Sequence, residues 1–167
     1  MHLAHLGIAV TLVGITMVKG YEATADVRMK PGDTVRLAGH AFRMDGMGEV
    51  DGPNYVAARA RFTVTDPGGA AFAMRPEKRM YRSQRMPMTE AAIRSGLVGD
   101  IYVSLGEALS DGQWVVRAQV KPFVNWIWGG CVLMALGGLV SLTDRRYRIR
   151  ARSAAAIPAM AATTAGD

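Results

Sequence analysis

Twenty consecutive residues without a formal charge, FVNWIWGGCVLMALGGLVSL at positions 123–142, constrain this 167-residue chain more than anything else in it. At about 1.5 Å per residue a helix of that length crosses the roughly 30 Å hydrocarbon core of a bilayer. Its ends are sharply marked by Lys121-Pro122 and by Asp144-Arg145-Arg146. Trp126 and Trp128 sit near the first end, where indole rings favour the water interface, and Arg145, Arg146, Arg148, Arg150 and Arg152 follow the last. Basic residues close behind a span mark its cytoplasmic side, so the tail is expected inside and the middle of the chain outside. The small-residue-rich remainder of the tail reads as disordered and is assigned no function.

A second apolar run, LAHLGIAVTLVGITMV at positions 3–18, has no Lys, Arg, Asp or Glu. With the two residues before it, it is long enough for a span. It starts abruptly, as a helix inside a longer membrane protein would. A secretory signal would carry a basic n-region, which is missing here although ATA at 23–25 resembles a cleavage site, so a retained span is expected. Gly7 and Gly14 on the first run, and Gly129, Gly130, Gly137 and Gly138 on the second, suit close helix packing or simply the glycine content of spans.

Between the two runs, positions 19–121 carry fifteen Lys/Arg and twelve Asp/Glu, the balance of an ordinary water-exposed domain. The charges are too evenly mixed, and the expected placement is wrong, for a nucleic-acid partner. The periodicity is two. Along positions 55–65, Val56, Ala58, Ala60, Phe62 and Val64 fall on one face and Ala57, Arg59, Arg61, Thr63 and Thr65 on the other, which predicts a half-buried strand. Further strands are predicted at 26–30, 34–38, 41–45, 70–75, 78–82, 101–105 and 113–120, joined by the turn signals KPGD, DGPN, DPGG and SDG. One short helix is predicted at 90–95, capped by Thr89 and ended by Gly96. The expected fold class is therefore a mixed membrane protein. Two transmembrane helices, at 1–19 and 122–143, flank an all-β sandwich or barrel-like extracytoplasmic domain at 20–121, and a basic cytoplasmic tail follows at 144–167.

Chemistry is sparse. The lone Cys131 permits no internal disulfide, and with only His2, His5 and His40 neither a Cys/His zinc site nor a Cys-x-x-Cys motif can be built. There is no phosphate loop, Ser/His/Asp set or paired-carboxylate signature, and no residue of the β-domain is named as catalytic. His5 is the most informative residue. A titratable group in an apolar span is costly, and a neutral imidazole can be an axial haem ligand, although an interfacial histidine is the blander reading. His2 lies three residues away on the same face, so a bis-histidine site would need a ligand from another helix. Met80, Met86 and Met88, with Met44 and Met47 elsewhere in the domain, suit either a Cu(I) carrier or plastic core filling. His40 is read as solvated.

Eight sequence words in order resemble the CcmF/CycK/NrfE family of haem lyase subunits: AHLGIAVTLVGI at 4–15, DVRMKPGD at 26–33, GPNY at 52–55, PEKRMY at 76–81, RMPMTEAAI at 85–93, DIYVSLGE at 100–107, KPFVNWIW at 121–128 and DRRYR at 144–148. The resemblance implies a role in the System I attachment of haem to apocytochrome c at the bacterial inner membrane. It implies as partners the remainder of the lyase, a CcmH-type thioredoxin-like subunit, a periplasmic haem chaperone and apocytochrome c. It also implies that His5 is one of two histidines, on different helices, that hold a transmembrane b-type haem. The family's tryptophan-rich haem-handling segment, with its flanking histidines and the second b-haem histidine, is absent from these residues. A fragment or split-gene product that is inactive alone is therefore expected. Asn125 stands where the family usually has arginine. The rival expectation is a membrane-anchored docking module without cofactor, or the methionine-based copper carrier.

Overall fold

The computed structural model describes residues 2–83 and 86–143, so Met1, Gln84, Arg85 and the whole tail at 144–167 with its five arginines lie outside the described residues. The chain divides into a helical unit, built from residues up to Thr16 and from Asn125 onward, and a β unit, Met17–Val124.

In the helical unit, α1 (His2–Tyr21) and α2 (Val124–Thr143) pack antiparallel through small residues. A Cβ built on Gly7 would lie 2.6 Å from Met134 Cγ, one on Gly14 would lie 2.9 Å from the Ile127 nitrogen, and one on Gly137 would lie 2.5 Å from the Ala4 nitrogen. On Gly130 it would run into Thr11, whose hydroxyl donates to Gly7 O at 3.0 Å. The seam is thus Ala4, Gly7, Thr11 and Gly14 against Gly130 and Gly137, the small-residue contact that lets helix backbones meet in an apolar solvent. Gly129 and Gly138 have open space beside them and are not part of it. Only 17% and 11% of the two apolar windows are buried, far less than in the core helix of a soluble protein, and both helices are long and apolar enough to cross a membrane.

The β unit is a two-sheet sandwich. Its strands are β1 (Ala23–Met29), β2 (Thr34–Leu37), β3 (His40–Asp51), β4 (Tyr55–Thr65), β5 (Ala71–Met74), β6 (Glu77–Tyr81), β7 (Pro87–Glu90), β8 (Ala92–Ser95), β9 (Gly99–Ala108) and β10 (Trp114–Pro122). One sheet has the order β1-β10-β9-β8; the other runs β2-β3-β4-β6-β7, with β5 also on β4, and all pairs are antiparallel. The core lies between them: Phe42, Met44, Ala60, Phe62, Val64 and Met74 from one sheet meet Met29, Val103, Leu105, Val116, Ala118 and Val120 from the other. Period-two alternation explains the selection, since every second side chain of β4 and β10 points inward. In the first turn, Pro31 and Gly32 take the two central positions, Gly32 has φ of 100°, and Asp33 N–H closes on Lys30 O at 3.0 Å, the type II pattern.

The short helix predicted at 90–95 is not there. Those residues form the end of β7 and the edge strand β8, because Thr89 does not cap: its hydroxyl donates to Leu105 O at 3.1 Å and receives Lys78 Nζ at 3.0 Å. Ala92 through Ser95 instead pair with Val103 through Asp100. The ATA sequence at 23–25 opens β1, directly after α1.

Candidate functional site

His5 lies on an exposed part of α1. At about 100° per residue it falls roughly opposite the seam of Ala4, Gly7, Thr11 and Gly14 that faces α2. His2 shares that outward side, as do the exposed Ala9 and Leu12. The arrangement is two histidines on an exposed, otherwise apolar side of α1, roughly opposite the seam with α2. It fits half of a bis-histidine haem site and cannot supply both ligands, because His2 and His5 project to the same side. Among the described residues no three His, Cys, Asp or Glu side chains gather as a metal set.

In the β unit, three of the family words meet at one end of the larger sheet. The GPNY turn leads into β4, PEKRMY forms β6, and RMPMTEAAI contributes β7 and the start of β8. On the outer face Tyr55 lies over Gly52, where a Cβ would strike its ring, and meets Tyr81 edge-on at 5.7 Å. The Arg79 guanidinium sits 4.5 Å from the Tyr55 ring centre. Beside it Glu77, only 6% exposed, accepts from Arg59 Nε at 2.5 Å and Arg79 Nε at 2.8 Å, while Arg79 also reaches Glu90 at 3.4 Å. Burial pushes the Glu77 carboxyl up, but the hydrogen bonds from Arg79 and Arg59 outweigh it and hold the group below its ordinary value. A carboxylate fixed in its charged form between two guanidiniums is a clamp across β4, β6 and β7 rather than a proton donor. Reading the sequence alone misses Glu77, because EKR looks like any solvated run. The available signal is Arg59, an outward cation on the neighbouring strand.

The inner face of the same region forms an open cleft of about 450 Å³, lined by Met47, Val56, Ala58, Met80, Pro87 and Trp114. Of the candidate copper ligands Met47 and Met80 line this cleft, but Met80 and Met88 do not meet. Met80 pairs with Pro87 and Arg79 with Met88, and directly paired residues share a face, so Met80 and Met88 project from opposite sides of the sheet. Met80, Met86 and Met88 therefore cannot all face one ion. His40, half-buried, pairs its Nδ1 with Ala38 O at 3.1 Å in the β2–β3 turn.

The family model described as the CcmF C-terminal beta-sandwich matches residues 20–122. The chain belongs to the CcmF family. It is 48% identical over 153 residues to the cytochrome c-type biogenesis protein CcmF of Pseudomonas aeruginosa, covering 92% of this chain and 23% of that protein. It is 48% identical to the protein of the same name from Escherichia coli over 88% of this chain and 23% of that one, and 45% identical to the biogenesis protein CycK of Rhizobium meliloti over 93% and 24%. A solved structure of the cytochrome c heme lyase CcmF superimposes with a TM-score of 0.68 over 85% of this chain and 24% of that one, at 18% identity, which establishes the shared fold. The chain therefore spans about a quarter of the length of these CcmF relatives and corresponds to their C-terminal part.

Proposed function

We propose that the chain works as the C-terminal part of a System I cytochrome c haem lyase in the bacterial inner membrane, helping to attach haem to apocytochrome c. In this reading α1 and α2 cross the membrane, the β-domain is periplasmic and the chain beyond residue 143 is cytoplasmic. The β-domain presents a docking surface to the CcmH-type thioredoxin-like subunit, the haem chaperone or apocytochrome c. The open apolar cleft on one side of the sheet and the Tyr55, Arg79 and Tyr81 face on the other support a docking role.

His5 would hold a b-type haem as one axial ligand, with the second ligand outside this chain. Such a haem would supply one-electron redox chemistry that keeps the substrate haem reduced, while the protein contributes the imidazole and its apolar surroundings. What supports this assignment is the position of His5 on an exposed part of α1, roughly opposite the seam with α2, in the helix where the family resemblance places one haem ligand. The test is cytochrome c maturation in cells lacking the lyase, with this chain supplied together with the remainder of the protein. His5→Ala is expected to abolish covalent haem on the reporter cytochrome while the chain still accumulates in the membrane. Undiminished maturation with His5→Ala would overturn the ligand role. A reporter fused after Arg152 is expected to show cytoplasmic activity; periplasmic activity would reverse the topology.

A further inference from the structure

The β8–β9 hairpin closes on Gly96-Leu97-Val98-Gly99, with Gly96 N–H donating to Gly99 O at 3.0 Å. Leu97 and Val98 stand at its tip, 98% and 80% exposed, the two most exposed large hydrophobic residues among those described. Two-residue hairpin tips favour Gly, Asn and Asp, because those residues accept the left-handed backbone that suits the strand twist. Neither Leu97 nor Val98 has a positive φ. Turn chemistry and core packing therefore both fail to account for an aliphatic pair at this position.

The neighbours of the tip supply the reason. Val98 O accepts from Phe123 N–H at 3.1 Å, and Phe123 immediately precedes α2. Phe123 has φ of 67°, a conformation uncommon for an aromatic residue, at the corner where strand turns into helix. Gly99 allows this approach, since a Cβ there would lie 2.6 Å from both Lys121 O and Pro122 Cα. The Phe123 ring in turn meets Tyr21, the last residue of α1, edge-on at 5.7 Å. Tyr21, Leu97, Val98 and Phe123 thus form an apolar collar at the level where the chain leaves one apolar helix and enters the other. Where such helices span a bilayer, aromatic rings at their ends sit at the membrane–water interface.

We propose that Leu97 and Val98 insert into the headgroup–acyl boundary of the bilayer, giving the β-domain a third attachment to the membrane besides its two chain connections. This rests on the reading of α2 as a membrane span.

The test uses the full chain with Cys131→Ser and one introduced cysteine carrying an environment-sensitive dye, reconstituted in phosphatidylethanolamine–phosphatidylglycerol vesicles. With Leu97→Cys the dye is expected to emit to the blue, to be quenched by nitroxide placed near the lipid headgroup, and to be shielded from aqueous iodide. With Asp111→Cys, in the turn at the far end of β10, it should be quenched by iodide alone. Leu139→Cys, on the exposed side of α2, reads the span itself through a nitroxide deep in the acyl chains. If Leu139 is not reached by lipid nitroxide, the span reading fails. If Leu139 is reached while the dye at position 97 is open to iodide, or is shielded from both quenchers by protein, the span stands and the tip inference is overturned.

Discussion

Replacing Glu77 with glutamine keeps the size and one acceptor of the side chain and removes its charge. In the wild type the 6% exposed carboxylate receives Arg59 and Arg79 at 2.5 and 2.8 Å. A hydrogen bond to a charged group contributes about 1.5–3 kcal/mol, and the two arginines keep 36% and 26% of their side-chain surface in water, which screens part of the loss. Glu77→Gln is therefore expected to destabilise the β-domain by about 2 kcal/mol at pH 7. With a urea m-value of about 1 kcal/mol per molar, that lowers the unfolding midpoint by about 2 M. The pH dependence is a sharper test. The folded carboxyl is held below its unfolded value of about 4.3, so its contribution is fully present above that pH and is lost as the pH falls through the lower folded value. The difference between wild type and Glu77→Gln should accordingly shrink on acidification, as the wild type acquires the same neutral group. Urea melts of the domain spanning residues 20–122, followed by tryptophan fluorescence at pH 7 and in the acid range, measure both. A loss below about 0.5 kcal/mol at pH 7, or a loss that does not change with pH, would refute the charged clamp.

Three further outcomes follow from the packing. Gly137→Leu and Gly130→Leu should each weaken the packing of α1 on α2 and lower the thermal midpoint of the detergent-solubilised chain, because a Cβ at these positions would already lie 2.5 Å from the Ala4 nitrogen or 2.6 Å from the Thr11 nitrogen; an unchanged midpoint would refute the seam. Phe62→Ala, at a fully buried core position, should cost the β-domain about 3–5 kcal/mol in thermal or urea unfolding. Titration of the domain with Cu(I) should show no stoichiometric binding that depends on Met80, Met86 and Met88 together, since Met80 and Met88 leave the sheet on opposite sides.

How much of this was legible depended on whether a side chain's surroundings leave a local trace. β4 occupies the residues that alternation predicts, and β10 buries Val116, Ala118 and Val120 as expected, because both strands are long and face one continuous core. β3 runs to Asp51 rather than stopping at 45, since a bulge between Met44 and Gly46 shifts the alternation and hides the continuation. β7 and β8 are four residues each at the margins of their sheets, with Met88 and Ile93 half exposed, so no inward–outward rhythm survives; a threonine followed by Glu-Ala-Ala-Ile then reads equally well as a capped helix. Glu77 was invisible for a different reason. Its burial depends on Arg59, eighteen residues earlier on the neighbouring strand, as well as on Arg79 two residues along its own, and the first of these is a tertiary fact that no local window contains. His5 stood out in the sequence because a histidine in an apolar run is conspicuous anywhere, whereas its outward direction required knowing that Ala4, Gly7, Thr11 and Gly14 form the seam with α2.

The absorbance spectrum of the detergent-purified chain, produced together with the remaining part of its protein and compared with His5→Ala, tests the central claim most directly. The account predicts a reduced b-type haem spectrum in the wild type that is lost with His5→Ala, while a substitution on the seam side of the same helix that preserves packing, Thr11→Ser, leaves it intact. A spectrum that His5→Ala leaves unchanged would contradict the assignment of α1 as a haem-bearing helix.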